Sequence, residues 1–109
     1  EDAKLESANL TGGELAQASL RGANLGGASL RGANLEGANL GGADLVGTDL
    51  TGANLRGANL VGADFFDTSL MGADLMDAKL PSALPIDTKY SDTTQWPDGF
   101  TPPDTAIKV

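Results

Sequence analysis

Large apolar residues stand at every fifth position from Leu5 to Leu80, fifteen leucines and Phe65, without a break. A period of five matches neither the 3.6 of an α-helix nor the 2 of a β-strand. A chain that obeys it turns through the same angle every five residues. The pattern therefore predicts a tube, whose walls repeat, rather than a globule with a pocket.

The residues around each centre keep their class. Two places before it stands Ala in thirteen of sixteen units, Gly13 in one, and Thr48 and Thr68 in the others. One place before it stands a polar residue, mostly Asn, Asp or Ser, with Lys4, Glu14 and Lys79 as variants. The small and large positions are expected to face inward and the variable one water. Gly stands two places after the centre in eleven units, as a type II turn with positive φ at its third residue requires. Ser7, Gln17, Asp67, Asp77 and Ser82 replace it, and more open corners are expected there. One coil cannot bury its own interior, so only stacking turns the leucines into a core.

Units such as Ala33-Asn34-Leu35, Ala53-Asn54-Leu55 and Ala73-Asp74-Leu75 match A-(D/N)-L-x-x letter for letter. Over residues 3–82 the chain resembles the pentapeptide-repeat family. The resemblance implies an all-β fold, a right-handed quadrilateral β-helix or solenoid with four five-residue faces per coil. Sixteen units over four faces give about four coils, and stacked strands ~4.8 Å apart give a tube ~15–20 Å long. The expected organisation is a stub at 1–2, the repeat β-helix at 3–82, and a C-terminal cap and tail at 83–109. In the tail, Thr88-Lys89-Tyr90 keeps the small–polar–large order. Thr94-Gln95-Trp96-Pro97-Asp98-Gly99-Phe100 resembles the T-x-W-P-x-G-F tail of cyanobacterial family members, with Pro-Asp-Gly as a tight turn. A bare β-helix end exposes strand edges and core leucines. Tyr90, Trp96 and Phe100 are therefore expected to cap it. From Pro102 onward the chain is expected to be extended and partly disordered. Members of the family often have a helix before the first coil, and none is expected in residues 1–2.

Composition narrows the functional classes. The 109 residues contain no cysteine and no histidine, which removes thiol chemistry and the commonest acid–base and metal-binding side chain. Net charge is −8, so direct nucleic-acid binding is not expected. No apolar run approaches membrane-spanning length, and no membrane insertion is expected. The chain begins at Glu1 rather than Met, which implies a removed leader or a trimmed chain. The resemblance is compatible with the cytoplasm, or with the thylakoid lumen or periplasm if a leader was removed.

Residues twenty apart are expected to stack. Asp44 then lies over Asp64 on one face, with Asp67 near in sequence. Two carboxylates so placed repel, and a cation between them would relieve the repulsion. Three carboxylates on an outer wall fall short of the six to eight oxygens of a calcium site, so no metal and no cofactor is expected. Glycosidase chemistry needs a desolvating cleft that a convex wall lacks, and no nucleophile–base pair or phosphate loop is present. No catalytic residue is assigned. Arg56 over Glu36 is expected to form a surface ion pair. The outer positions become apolar toward one end: Val46, Phe66, Met71 and Met76 form a belt that either meets a partner or is covered by the tail. The expected function is a non-enzymatic structural or protein-interaction module, an acidic rod, as a monomer or end-to-end homodimer. The alternative is a DNA mimic that binds a DNA-processing enzyme such as gyrase.

Overall fold

The computed structural model describes residues 2–81, 87–102 and 106–109. Ser82 and the expected boundary between 82 and 83 lie outside the described residues. The chain forms a solenoid measuring 31 × 23 × 22 Å. Four parallel ladders run along it, each joining polar residues twenty apart: Lys4–Asn24–Asp44–Asp64, Asn9–Ser29–Asp49–Ser69, Glu14–Asn34–Asn54–Asp74 and Ser19–Asn39–Asn59–Lys79. Each is a face of the tube. A face contributes one bridged residue per coil, so the walls are stacks of single bridges rather than long strands. The bonding is regular: Asp44 N–H donates to Ala23 O and Leu45 N–H to Asp64 O, both at 2.9 Å, and the pattern recurs along each ladder.

The corners explain the glycines. After each centre a β-turn closes, as where Ala53 N–H donates to Leu50 O at 3.0 Å. The third residue of the turn has positive φ, +69° at Gly52, and the residue before it does not. That combination is the type II turn. The expectation of more open corners at Ser7, Gln17, Asp67 and Asp77 is wrong. These residues adopt φ of 58°, 63°, 57° and 62°, the same left-handed conformation as the glycines. Stacking on the neighbouring coils fixes the corner, so the side-chain residues accept the strain.

The interior is closed to solvent and tightly classed. Leucines from Leu25 to Leu75, with Phe65, have no solvent exposure, and the alanines two places before them are buried with them. Thr48 and Thr68 point inward, and their hydroxyls donate to Leu25 O at 2.7 Å and Leu45 O at 2.6 Å. Leu5, Leu10 and Leu15 are only partly buried at one end, and Leu80 at the other.

Two faces continue into the tail. Lys89 bridges Ser69 twenty residues back, but Gln95 bridges Asp74 at twenty-one. One extra residue therefore enters between Tyr90 and Trp96. The unit Thr94-Gln95-Trp96 keeps the small–polar–large order nonetheless, and Thr94 donates inward to Leu70 O at 2.8 Å. Strand β1, Lys89–Tyr90, then pairs in parallel with strand β2, Ile107–Lys108. Within the tail expected to be extended and partly disordered, Ile107–Lys108 is extended and paired, because β1 offers it a free edge.

Candidate functional site

The core is filled by leucine and alanine, so any function lies on the outer walls. Where the polar residue of a unit is Asn or Asp, its side chain turns to cap the corner that follows. Asp44 accepts the Val46 N–H at 2.9 Å, and Asp64 accepts the Phe66 N–H at 3.0 Å. The same bond runs from Thr51 N–H to Asp49 and from Arg56 N–H to Asn54, both at 3.0 Å. This is why Asn and Asp occupy the position: a short acceptor reaches the N–H two residues on.

The faces differ in how their carboxylates are neutralised. On the second face Arg31 donates to Asp49 at 3.0 Å, and on the third Arg56 donates to Asp74 at 3.0 Å. The expected pairing of Arg56 with Glu36 is therefore wrong. Both arginines follow a centre, and each reaches the polar residue eighteen positions on, diagonally up the next coil. Asp74 offers a carboxylate there, and its hydrogen bond raises the Arg56 pKa. Burial pushes Asp49 up, but bonds from the Thr51 side chain and N–H, with Arg31, outweigh it and leave its pKa lowered. In the tail Lys89 bonds Asp67 at 2.7 Å and Lys108 bonds Asp92 at 2.6 Å, and each carboxylate raises its lysine's pKa.

Among the aspartates of the four ladders, Asp44 and Asp64 on the first face stand apart. Both are exposed, they bridge each other, and among the described residues neither has a cationic partner. Asp67 is turned to Lys89. Among the described residues no three acidic side chains are placed to hold a metal ion, and no helix is long and apolar enough to cross a membrane.

The apolar residues divide between the walls and the end. Phe66, beside Asp64, is 45% exposed, with Val46 half-buried one coil below. Met71 and Met76 are half-buried. Val61, outside the expected belt, is 53% exposed at the corner leading into the same face. Its signal was available: it stands in the variable column between Gly41 and Pro81. At the end, Trp96 and Phe100 are partly buried against the core, with ring centroids 5.1 Å apart and planes at 28°. Tyr90 meets Trp96 edge-on at 5.6 Å.

The family model for pentapeptide repeats matches this chain in eight copies, over residues 1–37 and 33–70. The chain belongs to the pentapeptide-repeat family. Among solved structures, this family member is similar to the pentapeptide repeat protein Rfr23 from the cyanobacterium Cyanothece 51142. Identity is 35% over 85% of this chain and 63% of that one, with a TM-score of 0.82. A pentapeptide repeat protein from the Arabidopsis thaliana thylakoid lumen is 32% identical over 75% of this chain and 59% of that one, TM-score 0.73. The protein alr5209 from Nostoc PCC 7120 is 33% identical over 97% and 84%, TM-score 0.56. The chain thus spans about 60% of the length of the first two of these relatives. Comparison with curated proteins gave no match.

Proposed function

We propose that this pentapeptide-repeat protein is a non-enzymatic protein-interaction module that works through its first face. One observation carries the reading. Asp44 and Asp64 lack a cationic partner among the described residues, whereas Asp49 and Asp74 have one, and the exposed Phe66 lies beside them. Uncompensated carboxylates next to an exposed aromatic on a rigid wall suit a partner that presents a basic and an apolar group together. The wall is a right-handed quadrilateral β-helix of four coils at 3–82, followed by a cap and tail at 83–109. Tyr90, Trp96 and Phe100 act as a lid over Leu80, while Val46 and Phe66 form the apolar part of the binding face, and Met71 and Met76 continue the apolar belt around the next two corners.

The DNA-mimic reading is weaker. Arg31 and Arg56 neutralise carboxylates on two faces, so the negative charge is interrupted around the tube rather than forming a continuous coat.

Proximity labelling in a native host tests the binding face. A partner is expected that is recovered with the wild-type chain and with Glu36→Lys, on another wall, and lost with Asp64→Lys and with Phe66→Ser. Recovery that is identical for all four chains would overturn the reading. The lid is tested separately by sedimentation. Deletion of 83–109 is expected to yield dimers or aggregates that keep a β-rich spectrum. A truncated chain that stays monomeric at high micromolar concentration would contradict it.

A further inference from the structure

The tail contains the chain's single Asp-Gly step, Asp98-Gly99, and it occupies an unusual place. Phe100 N–H donates to Pro97 O at 3.1 Å, which closes a turn with Gly99 at φ +80°. Both Asp98 and Gly99 are exposed. The Gly99 N–H donates no hydrogen bond among the described residues, and no atom lies within 4 Å of where a Gly99 Cβ would stand. The turn lies over the end of the tube: Ala78, Leu80 and Pro81 line one side of a shallow cavity, and Pro97, Asp98, Gly99 and Phe100 the other.

We infer that Asp98-Gly99 is a site of spontaneous aspartate isomerisation, a covalent modification that lengthens the backbone inside the aromatic cap. The Gly99 amide nitrogen attacks the Asp98 side-chain carboxyl carbon. A new N–C bond forms, the carboxyl hydroxyl and the amide proton leave as water, and a succinimide results. Water then adds at either imide carbonyl. Opening at the original backbone carbonyl routes the chain through the Asp98 side chain and gives isoaspartate. No oxidant, reductant or enzyme is needed. The step requires an unhindered carboxyl, a glycine that leaves the attack open, and an amide free of a competing acceptor, and the described structure provides all three.

The consequence rests on the lid reading above; the chemistry does not. Isoaspartate adds one methylene to the main chain between Pro97 and Phe100. The Phe100 N–H then no longer reaches Pro97 O in the same turn, and the Phe100 ring is displaced from Trp96. Modification at an exposed site thereby loosens the cover over Leu80.

The test uses the full chain, aged at neutral to mildly alkaline pH in its folded state. An isoaspartyl methyltransferase with a labelled methyl donor serves as the probe, followed by peptide mapping. Label is expected to accumulate in the peptide containing Asp98 and to fall to background in Asp98→Glu, whose attack would have to form a six-membered ring. Asp98→Asn is expected to reach the same succinimide faster, with loss of ammonia. No accumulation in the folded chain, accumulation only in denaturant, or equal labelling of Asp98→Glu would overturn the proposal. The emission of Trp96, the only tryptophan, reads the cap independently. A red shift that tracks the label supports the loosening, whereas label without a shift would overturn the lid reading and leave the modification standing.

Discussion

At the scale of single residues, the fold depends on two positions that sequence alone marks unequally. At most corners that carry one, the glycine is needed for its conformation rather than for space. Gly57 has φ +68°, and no atom lies within 4 Å of where its Cβ would be. Gly57→Ala is therefore expected to destabilise the protein by ~1–2 kcal/mol through backbone strain alone. Denaturant unfolding measures this; an unchanged midpoint would mean that the corner relaxes. Thr48 illustrates the opposite case. Its hydroxyl bonds Leu25 O, but that carbonyl also accepts the Ala28 N–H at 2.9 Å, so removing the hydroxyl orphans nothing. Thr48→Ala restores the residue most units carry and is expected to cost only about 1 kcal/mol by the same measurement. A loss of several kcal/mol would show that the carbonyl depends on the threonine.

At the scale of the five-residue unit, the core was legible because every unit meets the same surroundings. A small residue, a polar one and a large one in fixed order suffice to assign inside and outside. Three features escaped for physical reasons. Thr94-Gln95-Trp96 obeys the unit but follows one extra residue, so a strict period of five passes over it. Arg56 pairs diagonally with Asp74 because corner geometry, rather than the vertical ladder, sets where a long side chain lands. Ser7, Gln17, Asp67 and Asp77 follow the glycine conformation because neighbouring coils impose it. The candidate face was half legible: Asp44 over Asp64 follows from the period, but the pairing of the other carboxylates needed coordinates. That pairing has a pH consequence. The Asp49 pKa is lowered in the folded state, so its contribution to stability is present above the unfolded value of roughly 3.9 and is lost as pH falls through the folded value. The stability difference between wild type and Asp49→Asn is expected to narrow below about pH 4. A difference that persists undiminished at lower pH would contradict this assignment. Lys89 has the opposite sign. Its raised pKa gives stability that is present below the unfolded value of roughly 10.4 and is lost as pH rises through the folded one.

At the scale of the molecule, the tube is rigid because each coil completes the one below, and the ends are where this fails. Leu5, Leu10 and Leu15 are partly exposed at one end and Leu80 at the other, and Trp96 and Phe100 pack against the core only in part. The walls offer surface chemistry set by which side chains the repeat leaves free. All of this depends on one claim, that the large apolar residue of each five faces a shared interior. Leu35 and Glu36 are neighbours in sequence, yet Leu35 is fully buried and Glu36 exposed. Equilibrium unfolding of Leu35→Asp beside Glu36→Ala tests the claim most directly. Glu36→Ala is expected to stay within about 0.5 kcal/mol of wild type. Leu35→Asp is expected to show no cooperative transition, since a buried charge there has no partner and no water. A cooperative, native-like melt for Leu35→Asp would contradict the account.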